Sequence, residues 1–322
     1  FDFKFFVHVT DAIIHIHPQT STQLPEKIGL NDQRCTNPVT QLQLVQNMLS
    51  KSAEFRAGQT NGCKRNRIMR GNKNVLFIVI DQLRADCISG DLASHIELPN
   101  LRALMDDAVS FHRHFSVTKP CGPSRASLLT GQYAMNHRSI RNGTPLRHDA
   151  PNIATEMRKA GYMPMLFGYT DTSQDPRVFH ANDPALRDYE HYINGFREVI
   201  EMRYESSYPW RSHLMNKGYE FESFKSLYRP VSPTGGEPKV NDPALYRAED
   251  SDTAFLTDRF LFLMPTYREE SWFAHLTYIR PHPPLIAPAP FNDMFDPADL
   301  PLPTRSKDAA AEVAVHPFFG PV

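Results

Sequence analysis

Residues 121–131 read Cys121-Gly122-Pro123-Ser124-Arg125-Ala126-Ser127-Leu128-Leu129-Thr130-Gly131. A buried helix needs neither a Cys at its first residue nor an Arg one turn later, whereas anion chemistry uses both. Pro123 suits a first helical turn, where its missing N–H is no loss. Ala126 to Leu129 continue the helix to Gly131, a natural stop. Cys121 then lies at the N-terminus, where free N–H groups and the macrodipole favour negative charge. Arg125 returns on the same face and offers a fork of donors to a tetrahedral oxyanion. The plain alternative is a small buried Cys, which is common.

Outward from this helix, apolar strands alternate with helices. Asn74 to Ile80 (NVLFIVI) is a continuous β-rich run, the pattern of a strand buried on both faces of a parallel sheet. Pro99 to Ala108 reads as an amphipathic helix and Val109 to Ser116 as an extended segment. Asn152 to Ala160 is a helix closed by Gly161, and Tyr162 to Phe167 is the next strand. Thr170 to Asp250 lacks a period and reads as a loop-rich excursion with short helices. Ser251 to Met264 is a helix capped by Ser251 or Asp252. Ser271 to Ile279 (SWFAHLTYI) is a further buried strand, which ends in Arg280-Pro281-His282-Pro283-Pro284. The alternation predicts an α/β fold with a mostly parallel central sheet, helices on both faces and right-handed crossovers.

Composition narrows the function classes. The 322 residues are 41% hydrophobic and 22% charged with a formal net charge of -1, so neither nucleic acid nor a membrane surface is an expected partner. The 27 prolines fall mostly after Thr170 and predict irregular loops there. The four cysteines, Cys35, Cys63, Cys87 and Cys121, show no C-x-x-C spacing, which fits a reducing compartment better than a disulfide framework. Without a membrane-length apolar run or a secretory leader, the default location is cytoplasmic. Residues 1–68 read differently from the rest, as an atypical extension with one candidate helix over 41–55. A basic run (Lys64, Arg65, Arg67, Arg70, Lys73) follows, and Met69 is the expected natural start. Residues 69–322 then form the second unit.

In open α/β sheets the ligand crevice lies beyond the carboxyl ends of the strands. Asp81-Gln82 closes the first apolar strand and His282 follows the later one. A carboxylate beside an amide oxygen suits a hard divalent cation such as Ca²⁺, Mg²⁺ or Mn²⁺. Alone, an Asp in that place is more often a cap, and His282 is one of 14 histidines.

With these residues in view, CGPSRASLLTG resembles the signature of the type I sulfatases of the alkaline phosphatase-like superfamily, in which the Cys of C-x-P-S-R becomes formylglycine. The resemblance implies one divalent cation held by Asp81, Gln82 and the modified Cys121, and a formylglycine-generating enzyme as a partner. It implies that one hydroxyl of the aldehyde hydrate attacks sulfur or phosphorus, and that the other later expels the product. Arg125 would neutralise charge and His282 would serve the leaving oxygen. Arylsulfatases carry a second acidic residue where this chain has Gln82, and a G-K-W-H run where it has Gly168-Tyr169-Thr170-Asp171. Asn136-His137-Arg138 and Asn142 after the signature helix, with Arg280-Pro281-His282-Pro283-Pro284 after the later strand, form a set similar to the phosphonate monoester hydrolase and promiscuous arylsulfatase branch, in which Asn142 and Tyr169 would correspond to substrate-pocket residues. Asp171 departs from the Thr usual there; it would repel an anionic substrate or recruit a cation within it.

The resemblance runs from about Asn74 to the end and lacks the later D-H-G or D-N-G run that supplies further metal ligands. The expectation is therefore the N-terminal portion of a longer catalytic domain, inactive by itself, whose sheet would carry an unpaired edge. Small sulfate, phosphonate or phosphate esters are the expected substrates, and a homo-oligomer is left open. A strict sulfatase for one small metabolite and a non-catalytic sulfatase-like protein are the alternatives.

Overall fold

The computed structural model describes residues 74–302 and 305–315, together with the backbone of two strands, Phe3–Val9 and Ala12–Ile16. The expectations placed on the 41–55 helix, the basic run, Met69, Cys35 and Cys63 lie outside the described residues. Seven strands form one sheet: β1 (Phe3–Val9), β2 (Ala12–Ile16), β3 (Asn74–Ile80), β4 (Ala108–Phe111), β5 (Met163–Gly168), β6 (Arg197–Glu201) and β7 (Trp272–Tyr278). Their spatial order is β4-β2-β1-β3-β7-β5-β6. The helices are α1 (Asp86–Ser89), α2 (Pro99–Asp106), α3 (Cys121–Thr130), α4 (Ala134–His137), α5 (Ile153–Lys159), α6 (Tyr208–Asn216), α7 (Asp252–Leu263) and α8 (Ala309–Val315).

The strands from β1 through β3, β7 and β5 to β6 are parallel to their neighbours, and β2 pairs antiparallel with β1 and β4. The side of β3 away from β7 is paired by β1 from Phe3↔Asn74 to His8↔Val79. The apolar scatter at 3–16, broken by Lys4, His8 and Asp11, had not marked these two strands.

Alternation along β3 explains why its whole run is apolar. Leu76, Ile78 and Ile80 join Met165, Phe167, Leu276 and Tyr278 on one face, packed beneath Trp210 of α6 and Phe255 and Phe260 of α7. Phe77 and Val79 join Leu166 and Phe273 on the other, against Leu129 of α3 and Ala154 of α5. A strand in the middle of such a sheet has no solvent face and reads as a nearly continuous apolar run.

Helix termini follow local chemistry. Asn152 caps α5 through a capping box with Thr155, and the Ser251 hydroxyl accepts from Ala254 N at the start of α7. Gly131 ends α3 in the left-handed region (φ 68°). β6 lies in the expected loop-rich stretch; its sequence REVIE mixes charge with apolar residues because β6 is an edge strand.

Candidate active site

The three central strands deliver their C-terminal ends to one place, and the start of α3 faces them. Asp81 follows β3, Tyr169 and Asp171 follow β5, and His282 follows β7. With Gln82, Cys121, Arg125, Asn142 and Lys119, the side chains of Asp81 and His282 line a cleft of about 600 Å³.

Arg125 ties the strand ends together. Its guanidinium is buried, with Nη2 donating to Asp81 Oδ2 at 3.2 Å and to the Tyr169 hydroxyl at 3.0 Å. Nη1 donates to Thr277 Oγ1 at 3.0 Å, and the guanidinium carbon lies 4.3 Å from the centre of the Tyr169 ring. The Tyr169 hydroxyl donates to Asp81 Oδ2 at 2.5 Å. Burial alone would lower the Arg125 pKa, but Tyr169, Asp81 and Asp171 outweigh it and hold the group more firmly charged than usual. Burial raises the Tyr169 phenol well above its ordinary range, with Asp81 adding to it against Arg125, so it stays a neutral donor.

Cys121 occupies the first position of α3 with Pro120 as the cap residue and Pro123 in the first turn, as expected. Asn142 bridges the helix start: its Nδ2 donates to Cys121 Sγ at 3.2 Å and its Oδ1 accepts from Gly122 N at 3.0 Å. The side chain read as a pocket residue therefore also satisfies a free N–H of the helix. Asp171 is buried in a left-handed conformation (φ 55°) beside them. A Cβ on Gly122 would lie 2.9 Å from Asn142 Oδ1 and 3.5 Å from Asp171 Oδ2, so Gly122 leaves room for both side chains.

The surroundings of the thiol act against the helix terminus. The helix N-terminus favours a thiolate, yet burial, followed by Asp171 and Asp81, pushes the Cys121 thiol up to about 12. Burial is the larger cause, and the two carboxylates add to it. Burial also raises Asp171, against the pull of Arg125.

Ligand atoms of Asp81, Cys121 and His282 all lie within 4.8 Å of one another. His282, read from sequence as the group at the leaving oxygen, thus also stands at the candidate cation position. Its Nδ1 lies 2.7 Å from the Pro283 carbonyl, which can only accept, so Nδ1 carries a proton. Gln82 sits in a left-handed turn (φ 59°), exposed beside Asp81. The carboxylates, rather than the thiol or the imidazole, are the donors that suit a hard cation: both Arg125 and Tyr169 engage Asp81 Oδ2, leaving Oδ1 to a cation, and Asp171 Oδ2 is buried without a hydrogen-bond partner. Three or four donors are fewer than a Ca²⁺ ion takes from protein and water together.

Sequence reasoning missed two partners. Thr277 reads as one residue of a buried strand, and nothing local marks it as a partner of Arg125. For Asp171 the sequence suggests an effect on substrate charge but not its place beside the thiol.

A family model for the sulfatases matches residues 73–312, and the chain belongs to the sulfatase family. A multifunctional alkaline phosphatase superfamily protein of Trinickia caryophylli is 37% identical over 255 residues, covering 77% of this chain and 49% of the relative. The solved phosphonate monoester hydrolase of Silicibacter pomeroyi is 70% identical with a TM-score of 0.76, covering 78% of this chain and 49% of that one. The corresponding enzyme of Agrobacterium radiobacter is 40% identical with a TM-score of 0.71, covering 77% and 48%. The chain thus spans about half the length of these relatives. Among the described residues no helix is long and apolar enough to cross a membrane.

Proposed function

We propose that this chain carries the nucleophile and part of the cation site of a hydrolase for sulfate esters, phosphonate monoesters and phosphodiesters, with residues 69–322 as the N-terminal portion of its catalytic domain. The observation that carries this reading is the convergence of Cys121, Asp81 and His282 within 4.8 Å, braced by buried Arg125. The high identity to a phosphonate monoester hydrolase supports the substrate class.

In this reading Asp81, Gln82 and position 121 hold one divalent cation, Ca²⁺, Mg²⁺ or Mn²⁺, which would supply Lewis-acid polarisation of the ester oxygens. Conversion of Cys121 to formylglycine by a generating enzyme would supply the nucleophile that an almost wholly protonated thiol cannot. Arg125 fixes Asp81 through Oδ2 and adds positive charge beneath the anion. Tyr169 orients both, and Asn142 holds position 121 against the helix. His282 in its imidazolium form donates the Nε2 proton to the leaving oxygen, which departs with the bonding pair. Two free thiols among the described residues, Cys87 and Cys121, support a reducing, cytoplasmic setting.

The test is the mass of the Cys121 peptide in the whole protein co-expressed with a generating enzyme, alongside kcat/KM for an aryl sulfate and an aryl phosphonate monoester. Both activities are expected to scale with the converted fraction. Full activity in Cys121→Ala would overturn the proposal.

A further inference from the structure

The turn that presents His282 is held from behind by a charged group that no step above uses. Arg280 is buried at 2% exposure, and its Nε donates to Asp252 Oδ2 at 3.2 Å, itself at 1%. Its Nη1 donates to the His282 carbonyl at 2.9 Å and to the Pro284 carbonyl at 2.7 Å, gripping the turn at the proposed proton donor and two residues beyond it. Tyr228 lies beneath the guanidinium, 4.7 Å from ring centre to Cζ. The other end of this clamp is fixed as well. Asp252 is the first residue of α7, where its Oδ1 accepts from Thr253 N at 2.8 Å. The helix is pinned to β7 by Thr257 Oγ1 and the Tyr278 hydroxyl, 2.8 Å apart.

We propose that Arg280 is a positioning residue, which with Asp252 sets the backbone of the 281–284 turn so that the His282 ring meets the leaving oxygen. This rests on the role of His282 given above. The physical argument is one of geometry and cost. A buried ion pair whose only purpose was stability could be replaced by apolar side chains at little loss. Here the guanidinium spends two of its donors on carbonyls of a Pro-rich turn that has few N–H groups of its own to hold it. A planar fork can reach the carboxylate and both carbonyls at once; an ammonium is a single point and cannot.

The test separates positioning from plain structure by leaving group. Proton donation matters most when the leaving oxygen is basic, so the whole protein is assayed on a series of sulfate or phosphonate esters running from 4-nitrophenyl through phenyl to alkyl. His282→Ala is expected to lose far more on the alkyl ester than on the nitrophenyl ester. Arg280→Lys is expected to follow it, losing about tenfold or more in kcat on the alkyl ester and less than about threefold on the nitrophenyl ester, within the range of a general acid. The double variant is expected to be no worse than His282→Ala alone. Equal losses across the series in Arg280→Lys, beside a steepened series in His282→Ala, would overturn the positioning role and leave that of His282 standing. An unsteepened series in His282→Ala would overturn both. Where Arg280→Lys fails to fold, Asp252→Asn is read in the same way, since it keeps both carbonyl contacts and removes only the carboxylate that aims them.

Discussion

Replacing Tyr169 by Phe removes one oxygen from the most connected polar group of the site and leaves the ring in place. The hydroxyl donates to Asp81 Oδ2 at 2.5 Å and accepts from Arg125 Nη2 at 3.0 Å, and the residue is 4% exposed. A hydrogen bond to a charged group contributes about 1.5–3 kcal/mol, so two such bonds set an upper bound of about 6 kcal/mol. Neither partner is orphaned, however, because Arg125 Nη2 still reaches Asp81 Oδ2 at 3.2 Å and Nη1 still reaches Thr277. The ring also keeps its place beneath the guanidinium. The expected loss is therefore nearer one charged bond than two, about 2–3 kcal/mol.

The assay is denaturant unfolding, with the loss read as a lower midpoint at unchanged slope. In thermal unfolding the same loss corresponds to a fall of about 4–12 °C, at about 2–4 °C per kcal/mol for a domain of this size. A loss below about 0.5 kcal/mol, the range of ordinary surface substitutions, would refute the reasoning. It would mean that the phenol, the carboxylate and the guanidinium do not act as one buried unit.

Two further outcomes follow from the charge environment. Unconverted Cys121, its thiol pushed up to about 12 by burial, Asp171 and Asp81, is expected to alkylate slowly near neutrality and to accelerate about tenfold per pH unit across the alkaline range. Asp171→Asn should speed it at any one pH, and peptide mass after timed iodoacetamide exposure checks this; reaction at the rate of a free thiol would contradict the assigned surroundings. Burial raises Glu198 from 4.5 to about 7, with Arg203 opposing, and Glu190 likewise to about 7. The folded state then binds more protons than the unfolded state between those values, so these groups make stability fall as pH rises from about 5 to about 7. Glu198→Gln should flatten that fall in the denaturation midpoint, and an unchanged slope would rule out Glu198 as its source.

Much of this was legible in the sequence because burial leaves a periodic trace. NVLFIVI and SWFAHLTYI mark strands with no solvent face, and both stand at the centre of the sheet. The signature helix begins and ends where Pro123 and Gly131 place it, and Asn152 and Ser251 cap their helices as their side chains allow. REVIE was not legible, since an edge strand keeps charges on its open side; here Glu198 and Glu201 turn to Arg203. The state of the Cys121 thiol was not legible either. A helix terminus is a local feature, but burial and the carboxylates that raise the thiol come from strand ends 40 residues before and 50 after, and no spacing records their approach.

The same limit explains why the site and the core are hard to separate in this fold. Arg125 satisfies Asp81 behind β3, Tyr169 behind β5 and Thr277 within β7, so one guanidinium on α3 closes the ends of three parallel strands. Parallel strands end in polar backbone and side-chain groups at a shared edge, and those that are buried must find partners there. A residue that meets them from the helix carrying position 121 holds the proposed nucleophile as a consequence of holding the sheet. Substitutions at Arg125 or Tyr169 therefore act on stability and on geometry through the same bonds. His282 differs: its turn lies one step beyond the strand end and depends on a second guanidinium, Arg280, anchored to a different helix. The group proposed to move a proton is thus mounted separately from the groups proposed to hold charge, which is why its placement can be altered while the cluster around Asp81 stays intact.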